Sequence, residues 1–111
     1  MTASWEKIEK IVKEASGKKP DHLNNVLILI GIQELGQGAR NFSKEEKQDL
    51  LHVAICAIFS LGGFYRYTGR DEEGWPHYKL TEKVPHAKLM QQESLIKDYI
   101  IQYFEEKGLL S

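Results

Sequence analysis

Apolar positions near the start of the chain recur at helical spacing. Trp5, Ile8, Ile11, Val12 and Ala15 fall within about a third of a helical wheel, and lysines and glutamates cover the rest. The spacing predicts a surface helix. Gly17 offers it a left-handed stop, Lys18, Lys19 and Pro20 make a short connection, and Asp21 is a suitable N-cap for the next element. That element, Leu23 to Leu35, contains Val26-Leu-Ile-Leu-Ile-Gly-Ile32, a run that suits a buried strand as readily as a buried helix. Its length decides for a helix, since strands average about 5–6 residues, and Gly36 and Gly38 close it. Leu27 and Ile30 lie on one side of the wheel while Ile28, Ile32 and Leu35 lie opposite, so this helix needs cover on both sides.

The third helix is announced by Ser43-Lys-Glu-Glu46, a capping box in which the serine oxygen and the Glu46 carboxylate each take the other's backbone amide. It runs to Leu61 and stops at Gly62 and Gly63. Leu50, Val53, Ala54, Ala57 and Leu61 fill one face and Ile55, Cys56 and Phe59 the other, so it too is apolar all round. From Phe64 to Leu80 the texture turns aromatic and charged, and Gly69 and Gly74 bracket an acidic tip. Such a stretch reads as a β-hairpin, with Pro76 confined to an edge or a bulge because it lacks an amide donor. After Pro85 a long amphipathic helix extends to Lys107 and ends at Gly108. Leu89, Ile96, Tyr99, Ile100, Tyr103 and Phe104 share one face, with Met90, Leu95 and Ile101 at its margins. The expected fold is mainly α: a four-helix bundle-like domain with a short β-hairpin inserted between the third and fourth helices. No linker divides residues 1–111, so one domain is expected.

Length gives this pattern a consequence. With 111 residues, two amphipathic helices and a hairpin are little material to cover two helices that are apolar on every side. A second copy of the chain is the economical source of cover, giving a homodimer in which Gly31, Ala54 and Ala57 permit close helix–helix approach. Composition is that of an ordinary globular protein, 41% hydrophobic and 28% charged. Fifteen basic against sixteen acidic residues leave a formal charge of -1, without the basic excess that phosphate backbones select, so nucleic acid is disfavoured as a partner. Cys56 is the one cysteine; it closes no intrachain disulfide and points to a reducing, cytoplasmic setting. The N-terminus lacks the basic-then-apolar order of a signal peptide, and the apolar run from Leu50 to Leu61 falls short of the ~20 residues of a spanning helix. No membrane role is expected.

Candidate chemistry concentrates in the hairpin. Tyr65, Arg66, Tyr67, Arg70, Trp75, His77 and Tyr78 interleave aromatic rings with arginines, the side chains that stack on a planar ligand and pair with an anion. They mark a surface for a partner protein or a site for a small anionic or aromatic ligand. Local pairing of the arginines with Asp71, Glu72 or Glu73, and cross-strand aromatic contacts, are the simpler use of the same residues. His77 with Asp71 is the best acid–base pair in the chain. No metal is expected: Asp49 and His52 share one turn, and Glu34 would approach them if the second and third helices run antiparallel, but no repeated Glu-x-x-His or cysteine spacing supports a site. Cys56 lies among apolar neighbours, where a thiol is inert. The Gly36-Gln-Gly38 loop lacks the third glycine of a dinucleotide fingerprint. No cofactor is implied and no catalytic motif appears. Two functions follow from these residues: a small homo-oligomeric interaction or structural module, or a small-ligand-binding protein or enzyme with a pocket between the hairpin, residues 64–80, and the helices.

Overall fold

A computed structural model describes residues 2–16, 23–38, 40–81 and 93–108. Gly17, Lys18, Lys19, Pro20, Asp21, Pro85, Leu89 and Met90, which the sequence assigns to caps, connections and the last helix, lie outside them. Within them are four helices and a two-stranded antiparallel hairpin: α1 (Thr2–Ser16), α2 (Leu23–Leu35), α3 (Lys44–Ser60), β1 (Tyr65–Arg70), β2 (Pro76–Leu80) and α4 (Glu93–Glu106). The fold is the mainly α one that the periodicity predicts, with the hairpin between the third and fourth helices. No helix among the described residues is long and apolar enough to cross a membrane.

The centre of the molecule is α3. Its capping box forms as written: Glu46 N donates to Ser43 Oγ at 3.1 Å and Ser43 N to Glu46 Oε1 at 2.9 Å. Arg40 steadies it with an ion pair to Glu46 at 3.0 Å while its guanidinium lies over the Phe42 ring. Two turns further on, every residue from Val53 to Phe59 is buried. The cover comes from α2, both strands and α4, all packed on α3, with α1 closing over α2 and α4. Phe59 is fully buried and meets the rings of Phe64 and Tyr99.

This corrects the reason given for a second copy. One chain suffices to bury α3 on every side from Val53 to Phe59, and no apolar residue of α2 is exposed, Ile28, Leu29 and Ile32 being half-buried. The shortage disappears because the hairpin and α4 contribute large rings, Tyr65, Tyr103 and Phe104, which are themselves buried. The small residues serve an internal contact. At Gly31 a Cβ would overlap the Leu50 carbonyl oxygen and lie 2.9 Å from Leu50 C and Cβ, so the α2 and α3 backbones meet there.

The hairpin pairs Tyr65 with Leu80, Arg66 with Lys79 and Tyr67 with Tyr78, then slips by one residue so that Gly69 faces His77. The extra residue is Thr68, whose hydroxyl donates to the His77 carbonyl at 3.1 Å; Gly69 follows with φ 122°. Pro76 opens β2 opposite Arg70, where its missing amide interrupts no ladder interior. At the open end Thr81 N donates to Phe64 O, and its hydroxyl reaches the Gly63 and Phe64 carbonyls.

Candidate functional site

A cleft of about 300 Å³ lies between the hairpin and the first half of α3. Asp49, His52 and Val53 form its helical wall, spaced so that they share one face of α3. Asp71, Glu73, Trp75, Pro76, His77 and Tyr78 form the facing wall, from the turn and β2.

Asp71 organises the turn. Its Oδ1 accepts the amides of Glu73 and Trp75, both at 3.0 Å, and its Oδ2 is 2.9 Å from His77 Nε2. The hydrogen bond to His77, followed by the Trp75 amide, holds its carboxyl below the usual range, so Asp71 stays ionised. An ionised Asp71 has no proton to give, so Nε2 is the donor in this pair, and Asp71 fixes both ring orientation and tautomer. The acid–base pair expected from the sequence is therefore formed and faces the cleft. Among the described residues, the cleft wall carries no serine, cysteine or lysine that His77 would activate.

The turn is fastened to the helices from outside the cleft. Arg70 Nη1 donates to the Leu35 carbonyl at 3.2 Å and the Gly74 carbonyl at 2.7 Å, and Nη2 donates to the Glu34 carbonyl at 2.7 Å. Its guanidinium thus terminates α2, where unpaired carbonyls and the helix dipole favour a cation. Gln37 adds a hydrogen bond of 2.8 Å to the Glu73 carbonyl.

Of the seven hairpin residues singled out by sequence, the cleft gathers Trp75, His77 and Tyr78. Tyr65 is 6% exposed and belongs to the core. Arg70 is engaged with carbonyls. Arg66 and Tyr67 are exposed and line no part of the cleft, Tyr67 meeting Tyr78 edge-on at 5.7 Å. Asp49 and His52 do reach the site, without Glu34. Among the described residues no group of three His, Cys, Asp or Glu is placed to hold a metal ion. His52 Nε2 instead lies 3.6 Å from Cys56 Sγ, and burial pushes that thiol up to about 12.

Glu34 centres a second cluster. Its carboxylate accepts from the Tyr103 hydroxyl and, at 3.4 Å, from the Tyr78 hydroxyl, and Lys107 Nζ lies 3.7 Å away. Burial, reinforced by the Glu34 charge, raises both phenols above their ordinary range, so both remain donors. The cluster borders a smaller cleft of about 170 Å³ that includes Ala57, Ser60, Leu61 and Glu106. The sequence marks Glu73 only for local pairing with the arginines and Glu34 only as a neighbour of Asp49 and His52; their actual settings depend on residues brought together from separate elements.

Compared with family models, with curated proteins and with solved structures, the chain matches none of them. The fold and the cleft define a class on their own terms: a small α-helical domain whose inserted hairpin walls an acidic, aromatic cleft against the central helix.

Proposed function

We propose that the protein is a binding module whose cleft receives a small organic cation, an ammonium or guanidinium group seated against Trp75. One observation carries this reading: Asp49, Asp71 and Glu73 meet Trp75 and Tyr78 in a single cleft of about 300 Å³ that, among the described residues, is lined by no lysine or arginine. Carboxylates attract the charge and the ring faces favour the same sign, and the volume is at the lower end of small-molecule sites. The aromatic part of the expected ligand is retained and its charge is reversed, because the arginines that suggested an anion lie elsewhere. A free amine and a basic side chain of a partner protein present the same group, so an interaction module and a ligand-binding protein share this chemistry. The single buried thiol supports a cytoplasmic setting for it.

Titration calorimetry with benzylamine, its anionic counterpart benzoate and a lysine-containing peptide tests the proposal. Benzylamine is expected to bind and benzoate not to. Asp49→Asn and Glu73→Gln should each weaken benzylamine about threefold, and Trp75→Leu about tenfold. Benzoate binding as well as benzylamine would overturn the cationic reading. The peptide arm tells a free ligand from a protein partner.

A homodimer is the second reading. Its remaining support is the set Leu61, Tyr67 and Leu80, the large apolar side chains exposed among the described residues at 41, 52 and 40%. Sedimentation velocity at micromolar concentration is expected to give twice the chain mass, and a monomer there ends this reading.

A further inference from the structure

The hydrogen-bond acceptors of the cleft are divided between its two walls. Asp49 stands on the α3 wall, and Asp71, Glu73 and His77 stand on the hairpin wall. They are not equally available. Both oxygens of Asp71 are taken, Oδ1 by the Glu73 and Trp75 amides and Oδ2 by His77. No hydrogen bond or ion pair among the described residues engages the carboxylate of Asp49 or of Glu73, and both residues are exposed. Because His77 Nε2 donates to Asp71, Nδ1 of the same ring is a bare acceptor, without a partner among the described residues, on a side chain that is 61% exposed. Among the described residues no three His, Cys, Asp or Glu are placed to hold one metal ion, so these acceptors do not gather about a single point. That distribution separates the two kinds of cationic head. An ammonium is a compact, strongly hydrated charge that radiates its donors from one nitrogen, whereas a guanidinium spreads its donors around a weakly hydrated plane that also stacks on aromatic faces.

Resting on the cationic reading of this cleft, we propose that it selects a guanidinium over an ammonium. One edge of the planar fork pairs with the Asp49 carboxylate, the donors of the far edge face Glu73 and His77 Nδ1, and the plane lies against Trp75. Asp71 is a positioning residue in this arrangement, since its oxygens are spent on the turn and on fixing the tautomer of His77. An ammonium of equal charge satisfies one wall at a time and leaves the other to water. Arg70 makes the same use of a fork inside the chain, where its guanidinium spans the end of α2 and the turn. The ligand class is a monosubstituted guanidine, free or carried on an arginine side chain.

The test compares benzylguanidine with benzylamine by calorimetry; the two share a ring and a charge and differ in the head alone. In the native chain benzylguanidine should bind about tenfold more tightly. Asp49→Asn puts an amide donor where the fork needs an acceptor, and the ratio should fall to about threefold; the residue is exposed, so the variant is expected to fold. His77→Phe keeps a ring without its nitrogens and should lower the ratio about twofold. Benzylamine binding as tightly as benzylguanidine to the native chain, or a ratio that neither variant changes, overturns the selection of a guanidinium and leaves the cationic cleft standing. Failure of both compounds to bind the native chain overturns the cationic cleft and the selection with it. An arginine-containing peptide set beside benzylguanidine tells the side chain of a partner from a free guanidine.

Discussion

Gly31→Ala is expected to destabilise the protein by about 2 kcal/mol, in the direction opposite to the usual effect of that substitution in a helix. Alanine in place of glycine at an exposed helical site gains about 1 kcal/mol from backbone entropy. Here the added methyl has nowhere to go. It would overlap the Leu50 carbonyl oxygen and press on Leu50 C and Cβ, and these are atoms of the α3 backbone and its first side-chain carbon, which no rotamer change moves. Leu50 is itself fully buried. The helices must separate while α2 also buries Val26, Leu27 and Ile30 in the core, and overpacking of this kind costs about 1–3 kcal/mol before the lost contacts are counted. Urea denaturation is the measurement. The midpoint should fall with an unchanged slope, and the melting temperature should drop by roughly 10 °C. A stabilised variant would mean that α2 and α3 are not in backbone contact at this level.

The same glycine illustrates what a sequence conveys. That Gly31 permits close approach follows from its place in an apolar run; which helix approaches does not. Periodicity is a local property, and it located α2, α3 and the capping box at Ser43 because each is decided within a few turns of chain. How much surface α3 can bury depends on the volume of rings arriving from distant positions. Tyr65, Tyr103 and Phe104 fill the space that a count of helices leaves open.

The cleft was legible in part for a related reason. Trp75, His77 and Tyr78 lie together in one strand region, and their types announce a surface of interest. The sign of its charge comes from Asp49, on a different element, and from Asp71 and Glu73, which the turn aims inward. Arg70 shows the opposite failure. Among aromatics it suggests an anion site, but its partners are backbone carbonyls of α2 and of the turn, and a carbonyl has no letter in the sequence.

Arg70→Met is accordingly expected to cost about 2 kcal/mol and to weaken cation binding in a cleft that Arg70 does not touch. The substitution keeps most of the aliphatic stem and removes every donor. It strands the carbonyls of Glu34 and Leu35 at the end of α2 and that of Gly74 in the turn, and each charge-assisted hydrogen bond of this kind contributes about 1.5–3 kcal/mol before solvent exposure discounts it. With the guanidinium gone, Gln37 alone among these side chains ties the turn to the α2 end, and the Asp71 arrangement that places Trp75 and His77 loses its anchor. Hydrogen exchange should therefore accelerate at the turn amides of Asp71 and Gly74, both hydrogen-bonded within it, more than in α3. Arg70→Lys separates geometry from charge: an ammonium keeps the favourable interaction with the helix end, but lacks the planar fork that spans α2 and the turn together. The lysine variant should recover a minor part of the stability and little of the benzylamine affinity. Full recovery of both would show that a positive charge at the end of α2 is sufficient, and that the fork does not hold the hairpin in place.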